Sequence, residues 1–146
     1  MNINIRPATE HDYEAVYALL LEFAGFHGSS DKVYTTVAQL KRDKDLFQCL
    51  IAETDDKQIL GFASHFFTYY SWSGKALYID DLYVTQSYRK QGIGKKLLDA
   101  IVQKAKDNNC FKVRWQTSKW NNNAIAFYKT YGAEIDEVEI NCDYII

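Results

Sequence analysis

Residues 75–94 read KALYIDDLYVTQSYRKQGIG. The first ten, Lys75 to Val84, carry the aromatic and branched side chains of a strand, interrupted by two adjacent aspartates. In an unbroken strand neighbouring side chains point to opposite faces, so Asp80 and Asp81 are expected on opposite sides, with at least one directed into a sheet face. Gly92 and Gly94 then relieve side-chain crowding just where apolar spacing announces a helix from about Ile93. Backbone N–H groups can approach a ligand closely there. The first turn of a helix leaves N–H donors unpaired and carries partial positive charge, and Arg89, Lys90, Lys95 and Lys96 add cations nearby. Such a turn suits an anion; taken alone it is equally a basic glycine-containing loop that serves no ligand. Leu97 stands where the third glycine of a dinucleotide fingerprint would fall, and no GK[ST] follows a four-residue spacer, so neither of those phosphate motifs is present.

Upstream, NINIR at 2–6 alternates as a strand, and Thr9 with Asp12 three residues on resembles a helix start. Val16, Tyr17, Leu19, Leu20 and Phe23 keep helical spacing until Gly25 and Gly28 end it in FHGSSD. A second helix is expected over Val33 to Lys44. Three β-rich runs follow, FQCLIAET (47–54), QILGFASHFFTYY (58–70) and residues 75–84, with separators short enough for antiparallel hairpins. Downstream, Ile93 to about Asn108 reads as an amphipathic helix, Phe111 to Thr117 as a strand, and Asn122 to Tyr131 as a helix stopped by Gly132. Ala133 to Ile146 is expected to add one or two strands. This order, β-α-α-β-β-β-α-β-α-β-β, predicts an α/β (α+β) fold with a mixed sheet flanked by about four helices.

The chain has 146 residues, enough for one domain over 1–146 that buries roughly two-thirds of its unfolded surface without a disulfide or metal. Its three cysteines, Cys49, Cys110 and Cys142, are odd in number and far apart, as expected of reduced thiols in a reducing compartment. The formal net charge of −2 gives no basic excess for a phosphate backbone, so nucleic acid is not an expected partner. MNINIRPAT is not a secretory signal and no apolar run reaches membrane-spanning length, so no membrane partner is expected and the cytoplasm is the expected location. His11, His27 and His65 show no metal-ligand spacing, the cysteines no C-x-x-C, and the serines no G-x-S-x-G elbow. Neither a metal nor a serine hydrolase is expected.

The R-x-x-G-x-G turn after YIDDLYV, followed by W-N-x-x-A-x-x-F-Y-x-x-x-G-A from Trp120 to Ala133, resembles the GNAT superfamily of acetyl-CoA-dependent N-acyltransferases over nearly the whole chain. Within it, IRPAT (5–9), GFASHFFTYYSWSGKALYIDDLYV and WNNNAIAFYKTYGA look most like the spermidine/spermine (diamine) and thialysine acetyltransferases. The resemblance implies a sheet splayed into a V between the strands of Lys75 to Val84 and Phe111 to Thr117. Acetyl-CoA would lie in it, its pantetheine arm along Leu82, Tyr83 and Val84 and its pyrophosphate on Arg89, Lys90, Gln91, Gly92, Ile93, Gly94 and Lys95. Asn121 matches a family position that hydrogen-bonds the cofactor, with Lys129 close by in sequence. A homodimer is the family's common assembly, and the C-terminal DEVEINCDYII is compatible with a self-paired strand.

An amine attacks a thioester only when neutral, whereas an alkylammonium titrates near about 10, so a base or water relay is required. By resemblance, Asp80 takes the position of a proton-relaying glutamate. Asp is one methylene shorter, which points to relay through water. The alternative is that either aspartate caps a bulge or pairs with a nearby cation. The resemblance also implies that a backbone N–H near Leu82 stabilises the developing oxyanion, and Tyr128 matches the family tyrosine that protonates the departing sulfur. Phe127, Tyr128 and Tyr131 equally suit an aromatic packing face. A cationic acceptor would be drawn to Asp80, Asp81 and Glu22 by charge and to Trp72 or Tyr70 by cation–π contact. Tyr70 replaces an acidic family position and FHGSSD an acidic stretch, so a small diamine or lysine-like amine is expected ahead of long polyamines. A protein, amino-acid or aminoglycoside amine is the alternative acceptor, and a catalytically silent acyl-CoA sensor the alternative class.

Overall fold

The computed structural model describes residues 1–146, which form two compact units, Met1–Trp115 and Gln116–Ile146. In the first, β1 (Ile3–Pro7), β2 (Gln48–Thr54), β3 (Ile59–Tyr70), β4 (Gly74–Val84) and β5 (Lys112–Trp115) make one sheet in sequence order, with α1 (Tyr13–Phe26), α2 (Val37–Arg42) and α3 (Ile93–Asp107) against it. β1 to β4 pair antiparallel and β5 joins β4 in parallel through α3, which is the mixed sheet that the element order predicts.

Side-chain alternation separates the two faces. Phe62 and Tyr83 lie opposite each other on β3 and β4 and pack in one cluster with Val16 and Leu19 of α1. His65, an odd number of residues from Phe62, meets Lys104 of α3 on the other face, where Leu97, Leu98 and Ile101 are fully buried. Gly61 lies under α3, where an added Cβ would fall 2.7 Å from the Tyr83 carbonyl and 3.3 Å from Leu97 Cδ1.

The chain entry to α1 is fixed by charge. Asp12 accepts from the Thr9 N–H at 2.8 Å and from both guanidinium nitrogens of Arg6, which also reaches the buried Glu53 at 2.8 Å. These contacts hold the Asp12 and Glu53 carboxyls down to about 2, chiefly through the Arg6 hydrogen bonds.

Two expected elements differ. The second helix begins at Val37 rather than Val33 because the Thr36 hydroxyl caps it, accepting from the Gln39 N–H at 3.1 Å. Residues 33–36 stay outside the helix. No strand forms over Ala133 to Ile146: Val138, Ile140, Tyr144, Ile145 and Ile146 are all exposed. A β-rich composition becomes a strand only against a partner edge, and DEVEINCDYII pairs with none in this chain.

In the second unit, α4 (Asn122–Tyr131) starts at Asn121, whose side chain accepts from the Ala124 N–H, and stops at Gly132 with φ of 106°. The Ala133 N–H closes the end on the Tyr128 carbonyl at 3.0 Å.

Candidate active site

The two aspartates do not alternate. Ser64 pairs with Asp81 and His65 with Ile79, so Asp80 is an extra residue in a β-bulge. Tyr78, stacked on Phe66 at 5.1 Å, and Asp81, opposite Ser64, therefore share the α1 face although they are three residues apart. The inserted residue breaks the regular alternation on which the expectation of opposite faces rested. Asp80 stays in contact with solvent at the bulge, and the surrounding protein raises its carboxyl.

Asp81 forms part of the wall of a cavity of about 490 Å³ beneath α1. Leu20, Phe23 and Ala24 give the apolar side, while the α1–α2 connection contributes His27, Ser29, Lys32 and Tyr34. The Asp81 N–H donates to Ser64 Oγ at 3.0 Å, and the hydroxyl leans toward Asp81 Oδ2 at 3.4 Å. Burial first, and repulsion from Asp80 second, push the Asp81 carboxyl up to about 7. His27 is pushed down by burial and then by Arg89, which favours its neutral ring.

The backbone of the same strand opens on its other side. The β4–β5 ladder ends at Ile79 and Trp115, leaving Asp80 to Val84 without a β5 partner. On the β3 side, the Thr85 N–H donates to the Leu60 carbonyl at 2.9 Å. Antiparallel alternation then turns the Tyr83 backbone toward Phe62, and the Leu82 and Val84 backbones toward the open edge. Tyr83 therefore offers that edge no hydrogen-bonding group. Val84 is already in use: Arg89 Nε donates to its carbonyl at 3.0 Å.

Beyond the strand, Lys90 and Gly92 take left-handed conformations, with φ of 61° and 79°, and curl the loop before α3. Among the backbone bonds of loops and helix ends, none is donated by Lys90, Gln91, Gly92, Ile93 or Gly94. This cradle of N–H groups at a helix start fits a pyrophosphate, and an open strand edge leading to it fits an extended amide-bearing arm. Lys95 pairs with Asp99 at 2.8 Å. The Arg89 guanidinium lies over Phe26 and Tyr83, 4.7 and 5.1 Å from their centroids.

The other residues singled out from sequence have separate settings. Glu22 accepts from the Tyr83 and Thr85 hydroxyls, each at 2.7 Å, and so ties α1 to the start of the loop. Tyr70 carries Lys112 and Arg114 over its ring, both at 4.6 Å, and Trp72 is fully exposed in the β3–β4 turn. None of these three lines the cavity. In the second unit Tyr128 is buried and its hydroxyl is raised by that burial; Asn121 caps α4, and Lys129 is exposed in its last turn. Sequence reasoning did not assign cavity roles to Lys32, Tyr34 or the Phe23 side. The one available signal was the polar connection after Gly25, which interrupts helical spacing just beyond Phe23.

The family model for "Acetyltransferase (GNAT) family" matches residues 13–133. A human spermidine/spermine N(1)-acetyltransferase-like protein 1 is 38% identical over 139 residues, 88% of this chain; the match spans 20% of that longer relative. A pig (Sus scrofa) thialysine N-epsilon-acetyltransferase is 31% identical over 150 residues, covering 94% of this chain and 88% of its own length. In fold, the chain matches an aminoglycoside acetyltransferase from an uncultured soil metagenomic sample, solved with sisomicin, at a TM-score of 0.81 and 22% identity, covering 99% and 96% of the two chains. With a cradle for phosphate, an open strand edge and a family match over most of its length, the chain belongs to the GNAT family and is an N-acetyltransferase.

Proposed function

We propose that this chain, acting as one acetyltransferase domain over 1–146, transfers the acetyl group of acetyl-CoA to a primary amine of a small cationic acceptor. The observation that carries the reading is the position of Asp81, a carboxylate in the wall of the α1-side cavity, next in sequence to Leu82, whose N–H faces the open strand edge. Acetyl-CoA supplies the acyl group as a thioester. Leu82 N–H is the donor for the acyl oxygen, and the N–H groups from Lys90 to Gly94 hold the pyrophosphate. Asp81 attracts the ammonium, Asp80 passes its proton to solvent through water, and the Tyr128 hydroxyl protonates the leaving sulfur. Asn121 and Lys129 assist on the cofactor side.

The names of the human and pig relatives, which specify polyamine and thialysine amines, support a small cationic acceptor. Three free cysteines support a reducing, cytoplasmic setting, and the exposed apolar C-terminal segment supports a homodimer. No helix is long and apolar enough to cross a membrane. A thiol-release assay with acetyl-CoA against diamines, polyamines, lysine, thialysine, aminoglycosides and basic peptides tests the reading. Release with small diamines or lysine-like amines is expected; tight acetyl-CoA binding with no release for any amine refutes it in favour of a silent sensor.

A further inference from the structure

The sheet face under α3 holds a polar pair that acetyl transfer to an external amine does not use. His65 of β3 is buried, 2% exposed, and its Nδ1 lies 3.0 Å from the Ala63 carbonyl. A carbonyl can only accept, so Nδ1 carries the ring proton and Nε2 presents a lone pair. Lys104 Nζ, in the last turn of α3, donates to that lone pair at 2.8 Å and to Gln48 Oε1 of β2 at 3.1 Å. Each other lysine whose Nζ hydrogen-bonds to a side chain, namely Lys44, Lys57 and Lys95, meets a carboxylate. Lys104 meets neutral acceptors instead. Asp107, one turn further on, is held by Gln103 at 2.8 Å. The Phe67 ring, 5.6 Å from Lys104 Nζ, has a second ammonium at 4.7 Å, that of Lys75. Burial lowers the Lys104 amine below its usual value, with no acid beside it to oppose the shift.

We infer that Lys104 is an acylation site of the protein itself, taking an acetyl group from acetyl-CoA that arrives from solution. The side chain is half-buried, so Nζ is desolvated without being sealed off. It lies on the α3 face, across the sheet from the cavity beneath α1, and the donor therefore comes from solution rather than from the site already described. The ammonium first gives a proton to water. The neutral nitrogen then attacks the thioester carbonyl carbon, the C–S bond breaks, and CoA leaves as a thiolate; the second proton shed by the nitrogen passes through water to that sulfur. His65 is a positioning residue, holding Nζ by one N–H, and the amide product keeps an N–H for the same acceptor. Acetylation removes the charge that burial penalises and leaves the hydrogen bond in place.

Incubating the full-length protein with acetyl-CoA and following each lysine by mass spectrometry of the digest gives a rate for every site. Lys96 and Lys106, exposed on the same helix, are internal references. At pH 7.5 Lys104 should acetylate at least about threefold faster than either, because each unit by which an amine is lowered raises its neutral fraction about tenfold. At pH 9 that ratio should narrow, since the exposed amines still gain neutral fraction where Lys104 has less to gain. Gln48→Glu gives Lys104 the carboxylate that its counterparts have, and should slow its acetylation about tenfold while Lys106 keeps its rate. Tyr128→Phe should leave the Lys104 rate unchanged, as expected of a reaction that bypasses the site. A Lys104 rate no higher than that of Lys106, a ratio that ignores pH, or a Gln48→Glu variant with the wild-type Lys104 rate overturns the inference. Loss of Lys104 acetylation in Tyr128→Phe overturns the route from solution.

Discussion

Asp81→Asn should make the protein more stable and less active, and the stability gain should depend on pH in a direction fixed by the site. The folded chain raises the Asp81 carboxyl from 3.8 to about 7, because burial and the neighbouring Asp80 penalise its charged form. A group raised on folding contributes stability that is fully present below its unfolded value and lost as pH rises through its folded value. The wild type therefore loses stability between pH 3.8 and about 7 on account of Asp81, and the interval corresponds to about 4 kcal/mol. Asparagine stays neutral throughout and keeps an oxygen for the Ser64 hydroxyl, so it escapes that loss. The two proteins should have equal stability near pH 4, with the variant ahead by up to about 4 kcal/mol at pH 9, or roughly 10 °C in Tm for a chain of this size.

Urea unfolding at pH 4, 6, 7.5 and 9 measures the gap directly, with the m-value checking that both unfold in the same way. Activity should move the opposite way. Wild-type kcat/KM should fall about tenfold per pH unit below 7 as Asp81 takes up its proton, and that limb should be missing from Asp81→Asn, whose plateau lies about a hundredfold lower. Asp80→Asn is the companion test: removing the like charge should shift the wild-type limb to lower pH. A variant no more stable than wild type at pH 9, or a gap that ignores pH, refutes the claim that this carboxylate is held at a cost to the fold for the sake of the acceptor.

Tyr128→Phe should lower turnover at least tenfold with little change in acetyl-CoA affinity by calorimetry, and unchanged turnover removes the hydroxyl from the chemistry. Gly92 has φ of 79°, a conformation strained for any L side chain although a Cβ would meet open space, so Gly92→Ala should cost the fold about 1–2 kcal/mol and weaken acetyl-CoA binding about tenfold by crowding the N–H cradle; equal affinity would place the phosphate elsewhere. Arg6→Met should destabilise by about 2–3 kcal/mol, a deficit greatest above pH 4 and shrinking as pH falls through about 2, where the wild-type Asp12 and Glu53 carboxyls protonate. His65 is held down to about 4 by burial and then by Lys104, with its Nε2 2.8 Å from Lys104 Nζ. Its contribution, present above pH 6.5, is lost as pH falls toward 4, so His65→Gln should flatten a wild-type decline of about 3 kcal/mol over that window in denaturant titrations.

The boundaries of β2, β3, β4, α3 and α4 were legible because each is set by local signals: alternation, helical spacing, and a Gly or Asn at the end. The phosphate cradle was legible for the same reason, since Gly92 and a helix start adjoin in sequence. What failed depended on pairing between distant residues. DEVEINCDYII has strand composition but finds no partner edge, and Tyr70 resembles a free aromatic surface until Lys112 and Arg114, from a strand about forty residues away, close over it. Glu22 resembles a free carboxylate until Tyr83 and Thr85 claim it.

The pair at 80 and 81 shows why the acceptor side was the harder half to read. Two consecutive aspartates in a strand imply two faces, and only the register with Ser64 and His65 reveals that one residue is extra. The bulge has two chemical consequences. It turns Asp81 onto the α1 face, where the cavity lies, and it keeps Asp80 close enough for the two charges to oppose each other. A regular strand would have separated the carboxylates by the thickness of the sheet and left the cavity with an ordinary, permanently ionised acid or with none. A carboxylate poised near neutrality on the cavity side is therefore a product of one inserted residue. Deleting Asp80 should leave a regular ladder in which Asp81 still lies opposite Ser64 on the α1 face, now without its charged neighbour; the acidic limb of acceptor turnover should then move to lower pH, while the N–H cradle from Lys90 to Gly94 still retains acetyl-CoA.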